Sequence, residues 1–498
     1  MGDFDTSRTD VAGLGRRRVH TRQRFGQNAR RRRLAGSPTA TEQKCVMDAP
    51  ATDCVLQRAG DVLLADDVGE RLRPVFARQN QIRHGQGLKH PAAASASDKA
   101  WPIVRYGSKP MELAADFRNL RRAEQQLTAL SDKLVPGRTY RIMEFCGGHT
   151  HALCQSGLLD RLPAAIQMIH GPGCPVCVLP TGRIQQAIDL VLREPVILCS
   201  YGDMLRVPAL GHKSLLSARA QGADVRVVYS TEDALAVARQ NPTRQVVLFA
   251  VGFETTTPMT AAAMLTAKQE PIRNFSVLVN HVLTPPALTA LLQTAQDQVR
   301  IDGFIGPGHV ATVTGSDAFL PFAQRYRKPI AIAGFEPTDL LLALHAVIDN
   351  IKAGTAHGAN TFSRAVTQAG NLRAKQIIEQ VLEVRESFAW RGLGDIAHSA
   401  LRARQQFADF DAEKRFSLST PQVPDHKHCR CPDVLRGICA PTECTLFAAA
   451  CTPDTPIGSC MVSSEGACAA YFQIGRTRRR EVSTARAHAT SRPGCSDV

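Results

Sequence analysis

The chain has 498 residues, more than one ordinary hydrophobic core holds, so its length alone predicts two or three domains. Hydrophobic residues make up 44% of it, as expected of a globular protein, and no run approaches the roughly 18 apolar residues that a membrane helix needs. The net charge of +15 is concentrated at the ends, with 20 Lys+Arg against 11 Asp+Glu in residues 1–110, which is typical of solvated tails rather than of a nucleic-acid-binding face.

The first predicted element is a basic, weakly ordered extension over residues 1–110, which lacks sustained hydrophobic periodicity. Ordered structure is expected to start at Met111, where MELAADFRNLRRAEQQLTALSDKL places apolar residues three and four positions apart, the period of an amphipathic helix. The first ten residues are charged, unlike a secretory signal, so the reducing cytoplasm is the expected compartment.

From about residue 138 to residue 350, short apolar runs alternate with helical stretches. The runs are PVILCSY, ADVRVVYS, QVVLFAVG, FSVLVNH, DGFIGPG and PIAIAGF. This alternation predicts an α/β fold of βαβ units with parallel sheets, arranged as two lobes that form a cleft. The predicted segments after the extension are a first lobe at 111–245, a second lobe at 246–355, a helical segment at 356–415, a cysteine-rich iron-sulfur domain at 416–474 and a basic tail at 475–498.

Polar side chains follow several of these predicted strands. Ligands bind at the carboxyl ends of parallel strands, which makes four residues candidates for the cleft: Glu254, His281, His309 and Glu336. Helix capping and turn formation explain any single one of them as simply. Neither G-x-G-x-x-G after a strand nor G-x4-G-K-[ST] is present, so the sequence gives no support for dinucleotide or P-loop nucleotide binding.

Two cysteine motifs precede the first of these apolar runs. Cys146 and His149 stand in EFCGGHTHA at C-x2-H spacing, within reach of one metal, and the glycines between them allow a ligand to approach the backbone. Cys174 and Cys177 form a C-x2-C pair in HGPGCPVC, which can cycle between dithiol and disulfide or bind a metal. Redox chemistry is favoured for this pair because no second pair lies nearby.

Seven cysteines fall between Cys429 and Cys468. Such a density of thiols indicates an iron-sulfur or zinc site, or a disulfide-stapled subdomain, and a reducing compartment disfavours the staple. Structural zinc sites usually contain two short C-x2-4-C pairs, whereas Cys444 and Cys451 are separated by six residues with no short pair facing them. An iron-sulfur site is therefore favoured.

These motifs together resemble the HypD family, maturation factors of nickel-iron hydrogenases. The resemblance is carried in colinear order between Met111 and Tyr471 by FCGGHTHA, HGPGCPVCVLP, SYGDMLRVP, GFETTTP, NHVLTPPA, DGFIGPGHV, GFEP, WRGLG and TPIGSCMVSSEGACAAY. It implies a scaffold on which an iron unit with two cyanides and one carbon monoxide, Fe(CN)2CO, is built. It also implies a small HypC-type chaperone and a HypE-type cyanide donor as partners, the hydrogenase large subunit as an indirect one, and neither nucleic acid nor membrane.

The resemblance also implies roles for the cysteines of the body. By it, Cys146 is the thiolate that holds the nascent iron, and His149 is a candidate second ligand. Cys174 and Cys177 correspond to the redox dithiol of the family. Assembly of a metal centre with accompanying electron transfer is thus expected, rather than the turnover of a conventional enzyme.

In the terminal run, the spacing most similar to that of the family's cluster ligands is C-x14-C-x6-C-x16-C. It selects as ligands of a 4Fe-4S cluster Cys429, Cys444, Cys451 and Cys468. Cys431 and Cys460 are then left as a second redox pair, and exchanges of Cys429 with Cys431, or of Cys460 with Cys468, stay open. Cys439 is an extra cysteine, and Pro432 stands where the family usually has glycine.

Two alternatives belong to other functional classes. One is a stand-alone iron-sulfur thiol-disulfide oxidoreductase that reduces a small substrate through Cys174 and Cys177. The other is a zinc-stabilised interaction protein whose basic ends bind nucleic acid.

Overall fold

The computed structural model describes residues 118–294 and 299–475. The predicted extension at 1–110, the predicted helix start at Met111 and the basic tail beyond residue 475 lie outside the described residues. Within the described ranges, no helix is long and apolar enough to cross a bilayer.

Thirteen strands are present in the described part of the chain. In chain order they are β1 (Tyr140–Glu144), β2 (Ile166–His170), β3 (Ile197–Ser200), β4 (Val225–Val227), β5 (Val246–Gly252), β6 (Phe275–His281), β7 (Gly303–Gly306), β8 (Ile330–Ile332), β9 (Gly358–Asn360), β10 (Leu382–Val384), β11 (Ser387–Trp390), β12 (Gly394–Ala397) and β13 (Leu401–Ala403).

Helices connect most of these strands. In chain order they are α1 (Leu120–Lys133), α2 (Gly147–Gln155), α3 (Leu158–Arg161), α4 (Pro175–Val178), α5 (Thr181–Arg193), α6 (Leu215–Ala220), α7 (Thr231–Gln240), α8 (Thr257–Gln269), α9 (Thr284–Thr294), α10 (Gly308–Thr314), α11 (Leu320–Tyr326), α12 (Pro337–Ala353), α13 (Leu372–Val381), α14 (Ala412–Arg415), α15 (Cys431–Leu435) and α16 (467–475).

The strands form two parallel sheets and two small antiparallel pairs. The first sheet has the order β2-β1-β7-β8-β9 and the second sheet has the order β4-β3-β5-β6, with every pairing in both sheets parallel. Every residue of β5 and β6 is buried, as expected for parallel strands that are covered on both faces. The predicted α/β fold with parallel sheets is confirmed.

The two sheets do not follow the predicted lobe boundary at residues 245 and 246. Strands β3 and β4 precede that boundary, yet they share the second sheet with β5 and β6; β1 and β2 share the first sheet with β7, β8 and β9. Neighbouring parallel strands are joined by long crossovers, so strands adjacent in space can be far apart in sequence. The second sheet is thus inserted between the two parts of the first.

The cysteine-rich segment packs against the sheets. Cys431, Cys451, Cys460 and Cys468 belong to the same buried apolar cluster as Phe249 and other residues of the two sheets. Pro432 lies in the first turn of α15, where the missing N–H of proline costs no hydrogen bond. The substitution of the family's usual glycine is thereby accommodated without a positive φ.

Candidate functional site

Cys146 lies at the carboxyl edge of the first sheet, between the end of β1 and the start of α2. In this sheet β1 pairs with β2 on one side and with β7 on the other, so the order of strands reverses at β1. Such a reversal is where ligands bind in open parallel sheets. The sulfur therefore occupies the position at which this architecture forms a binding site.

Two glycines bring other backbone segments against Cys146. A Cβ atom on Gly173 would lie 2.5 Å from the backbone nitrogen of Cys146, and one on Gly147 would lie 2.6 Å from the carbonyl oxygen of Glu465. The N–H of Gly147 donates to the carbonyl of Gly173 at 2.8 Å. Only residues without a side chain allow this approach, which joins the CGGH turn to the GPGC turn and to the cysteine-rich segment.

The immediate surroundings of the Cys146 sulfur are polar atoms of two helix starts and an aromatic stack. Its Sγ lies 3.7 Å from Nδ1 of His309, whose ring stacks on Phe335 with centroids 3.8 Å apart. Burial lowers the pKa of His309 to about 4, so this imidazole is neutral at pH 7. Burial and the nearby carboxylates of Glu465 and Glu144 raise the pKa of the Cys146 thiol, while backbone hydrogen bonds from Gly148 and His309 lower it.

His149 is fully buried one turn after Cys146. Its Nε2 lies 3.1 Å from the carbonyl oxygen of Ala333 and is the protonated nitrogen of the ring, since a carbonyl can only accept. Its Nδ1 has no hydrogen-bond partner. Burial lowers the pKa of His149, so the ring is neutral and Nδ1 keeps a free lone pair.

A buried network behind Cys146 is centred on Glu144. The carboxylate accepts hydrogen bonds from the Cys146 N–H at 2.9 Å, from His170 at 2.8 Å and from the Thr150 hydroxyl. The second ring nitrogen of His170 lies 2.8 Å from the Tyr471 hydroxyl. Helix α16 is thereby tied to the ends of β1 and β2.

Cys174 and Cys177 form a disulfide at the start of α4, the short helix that follows β2. Both residues are buried. The Ser459 hydroxyl donates to the carbonyl of Cys177 at 3.1 Å. Because Ser459 immediately precedes Cys460, this bond links the disulfide directly to the cysteine-rich segment.

The cysteine-rich segment encloses a small cavity. Five cysteines line it, together with apolar side chains and Arg430: Cys429, Cys431, Cys444, Cys451 and Cys468. Cys460 is fully buried and lies in hydrogen-bond contact with Cys431 and Cys468. Cys431 also contacts Cys429, which makes it the central member of this group of thiols. The four predicted cluster ligands therefore face one space, which Cys431 shares.

Comparison with known proteins identifies the family. Residues 120–475 match the family model HypD, described as "Hydrogenase formation hypA family". The chain belongs to the HypD family. It is 53% identical over 379 residues to the hydrogenase maturation factor HypD of Azotobacter vinelandii. The matched stretch covers 76% of this chain and 100% of that protein.

Other HypD proteins match over a similar stretch. The hydrogenase maturation factor HypD of Cupriavidus necator is 50% identical over 370 residues, 74% of this chain and 98% of that protein. The one from Escherichia coli is 46% identical over 336 residues, 68% of this chain and 89% of that protein. The resemblance found in the motifs is thus confirmed, and the chain is a hydrogenase maturation factor of the HypD family.

In this HypD chain, the four polar residues predicted to line a cleft have different partners. His309 contacts Cys146, but Glu254 accepts from the N–H and the hydroxyl of Thr284 and so caps α9. His281 contacts the Thr260 hydroxyl. Glu336 caps α12 and forms an ion pair with Arg118.

Several residues of the site escaped the sequence analysis. Glu144 stands two positions before Cys146, and His170 opens the HGPGC motif. Phe335, Glu465 and Tyr471 lie within GFEP and SSEGACAAY. All of them sit inside motifs that the sequence analysis singled out, but only the fold reveals that these motifs meet around Cys146.

Proposed function

We propose that this HypD chain is the scaffold on which the Fe(CN)2CO unit of nickel-iron hydrogenase is assembled, with Cys146 holding the iron. His149 is the candidate second ligand, because its Nδ1 is a buried nitrogen whose lone pair has no partner. A soft thiolate and a neutral imidazole suit iron that carries strong-field ligands.

One observation carries this proposal: Cys146, the disulfide and the cysteine cavity form a continuous series of contacts. Gly173, next to Cys174, packs on the backbone of Cys146, and Ser459 beside Cys460 bonds to Cys177. A site that must hold iron and also receive electrons requires this arrangement.

The residues around the cavity are chemically suited to a 4Fe-4S cluster. Five thiols face it, and no carboxylate or imidazole lines it. Thiols bound to a cubane ligate different irons and need not converge on one point, whereas zinc requires four ligands at about 2.0–2.3 Å from one centre. Among residues 118–294 and 299–475, no three His, Cys, Asp or Glu side chains are grouped so as to hold a single metal ion.

Cys429, Cys444, Cys451 and Cys468 would hold the cluster, with Cys431 and Cys460 as a dithiol beside it. When bound, the cluster would supply single electrons.

Residues of the chain itself account for the proton transfers. The Cys146 thiol must lose its proton to ligate iron, and Glu465, whose pKa burial raises to about 7, is the nearby carboxylate suited to accept it. Reduction of the Cys174–Cys177 disulfide breaks its S–S bond, consumes two electrons and two protons, and leaves two thiols.

The partners follow from the same proposal. A small HypC-type chaperone would bring or stabilise the iron, a HypE-type protein would donate cyanide, and the hydrogenase large subunit would receive the finished unit in the cytoplasm. The alternative, a stand-alone oxidoreductase acting on a small substrate, is less well supported. Cys174 is only 3% exposed and Cys177 is fully buried, which leaves a small substrate little access to their sulfurs.

The test is a Mössbauer spectrum of iron-57-labelled protein, purified without oxygen in complex with its small partner. We expect a cluster signal and a separate low-spin iron signal. Cys146→Ala should abolish the second signal and hydrogenase maturation while keeping the first, and Cys199→Ala, which alters a cysteine buried in the second sheet, is the matched control. A fully active Cys146→Ala protein would refute the assignment.

A further inference from the structure

Arg391 is a buried cation between the disulfide and the cysteine-rich segment. It follows β11 directly, and only 6% of it is exposed. Its backbone N–H donates to the carbonyl of Val178 at 2.8 Å, and its Nη2 donates to the carbonyl of Leu179 at 2.9 Å. Both carbonyls lie just after Cys177, at the end of α4. One residue therefore fixes the helix that begins at the disulfide.

The same guanidinium reaches the start of the cysteine-rich segment. Its Nη1 donates to Asp425, which also accepts from the Thr181 hydroxyl at 2.6 Å. Asp425 stands four residues before Cys429. The Nε of Arg391 is buried and has no hydrogen-bond partner. An ion pair with a single carboxylate thus leaves part of the buried guanidinium unsatisfied.

The turn that carries Arg391 also packs on the segment between the thiols. Gly392 has φ +79°, and a Cβ atom there would lie 2.7 Å from the carbonyl oxygen of Pro432, the residue after Cys431. The guanidinium interacts electrostatically with the sulfurs of Cys431, Cys460 and Cys429. The backbone contact thus places the turn of Arg391 beside Cys431, and the charge of its side chain also acts on Cys460 and Cys429.

We propose that Arg391 is a positioning residue for electron transfer, which holds the disulfide helix against the cysteine-rich segment and whose buried charge favours the reduced state of the thiol-bound cluster. This inference rests on the proposed cluster. Each electron that enters the segment adds one negative charge, and a fixed cation in a medium of low dielectric stabilises that charge more than water would. A purely structural ion pair would hold Asp425 but would leave the reduction potential unchanged.

The test compares the reduction potential of the cluster in the whole, anaerobically purified protein and its variants by EPR-monitored redox titration. In Arg391→Gln, which keeps a hydrogen-bonding side chain without the charge, we expect the equilibrium to shift at least tenfold toward the oxidised cluster, about 59 mV for a one-electron couple. Arg391→Lys should restore most of that shift. Arg183→Gln, which removes an equally buried guanidinium that contacts Glu413 and Asn280 instead, is the matched control.

An unchanged potential in Arg391→Gln, or equal shifts in Arg391→Lys and Arg391→Gln, would overturn the inference. If Arg391→Gln does not fold, Asp425→Asn gives the opposite test: removal of the carboxylate should shift the equilibrium toward the reduced cluster, and a shift the other way or none overturns the inference. Absence of iron and sulfide from the unaltered protein would overturn the proposed cluster itself, whereas a bound cluster with an unresponsive potential overturns only the role of Arg391.

Discussion

The sulfur of Cys146 lies 3.7 Å from Nδ1 of His309, although 163 positions separate the two residues in sequence. Burial lowers the pKa of His309 to about 4, so the pair is not an imidazolium and thiolate at neutral pH. The charges that act on Cys146 are instead the carboxylates of Glu465 and Glu144, and both raise its pKa. The thiol therefore keeps its proton until a metal competes for the sulfur.

Glu465→Gln should make Cys146 more reactive, but only where Glu465 is ionised. Its pKa is raised to about 7, so it is charged at pH 8 and largely protonated at pH 6. Removing the charge lowers the pKa of the Cys146 thiol, and one unit corresponds to roughly tenfold more thiolate. Cys146 is only 5% exposed, so iodoacetamide reaches it slowly in parent and variant alike; we expect the ratio of the two alkylation rates to be roughly ten at pH 8 and about one at pH 6, as measured by peptide mass spectrometry. Glu443→Gln is the control, and equal acceleration at both pH values would contradict the prediction.

Gly173→Ala should disrupt the site, because the new methyl group would meet backbone atoms of Cys146 rather than a side chain that can move away. Overpacking of this kind costs about 1–3 kcal/mol or more. We expect a lower free energy of unfolding in urea and loss of hydrogenase maturation. At Gly202 an added Cβ would meet nothing closer than 3.9 Å, so Gly202→Ala is the matched control. A Gly173→Ala protein as stable and active as the parent would show that the CGGH and GPGC turns can separate freely.

Glu144→Gln should cost far more stability than an exposed substitution of the same kind. The carboxylate of Glu144 accepts hydrogen bonds from Cys146, Thr150 and His170. The amide of glutamine has only one acceptor oxygen, so some of these buried donors would lose their hydrogen-bond partner. We expect a loss of about 2–4 kcal/mol in the free energy of unfolding. Glu124→Gln, which removes an exposed ion pair with Arg161, should cost about 0–1 kcal/mol. Equal losses in the two variants would contradict the role of Glu144 as the centre of the network.

Glu254 should contribute stability that is lost as the pH rises from about 4.5 to about 7. Burial without a cationic partner raises the pKa of Glu254 to about 7. A carboxyl group whose pKa is higher in the folded than in the unfolded protein stabilises the fold. This stabilisation is complete at pH values below the unfolded pKa and is lost as the pH rises through the folded pKa. A shift of this size is worth about 3 kcal/mol.

Glu254→Gln should remove that contribution and so change the slope of stability against pH, since the amide still bonds to Thr284 and cannot ionise. The measurement is the midpoint of thermal unfolding at several pH values between 4.5 and 8. The pH dependence of stability that remains in this variant arises from other titrating groups, including Glu465. The exposed substitution Glu232→Gln should leave the curve unchanged, and a Glu254→Gln curve as steep as that of the parent would refute the assignment.

The sequence was sufficient for β3 to β8 and for the motifs of this chain, but not for β1 and β2 or for the partners of each strand. The segment 356–415, predicted to be helical, instead contains the short strands β9 to β13 as well as two helices. The apolar runs of β5 and β6 are continuous because both faces are buried, and Cys146 with its glycines stood out as a candidate ligand-binding turn. The insertion of the second sheet was not visible, because parallel pairing leaves no local signal of which strands are neighbours.

The polar strand ends illustrate the same limit within the candidate site. Glu254 and His309 were equivalent in sequence, each following a strand. In the fold, Glu254 follows a strand of the second sheet and caps α9. His309 follows β7, the neighbour of β1, and therefore contacts Cys146. The local sequence pattern identifies candidate site residues, and the strand order of the sheets determines which of them lie next to Cys146.

The insertion of the second sheet has a consequence for synthesis of the protein. A ribosome releases β1 and Cys146 long before β7, which pairs with β1, and Glu465 and Tyr471 follow later still. Contacts between such distant segments form late. A chain interrupted anywhere before α16 would lack the Tyr471 contact of the buried network behind Cys146, so premature termination products would not contain the complete set of contacts around this residue.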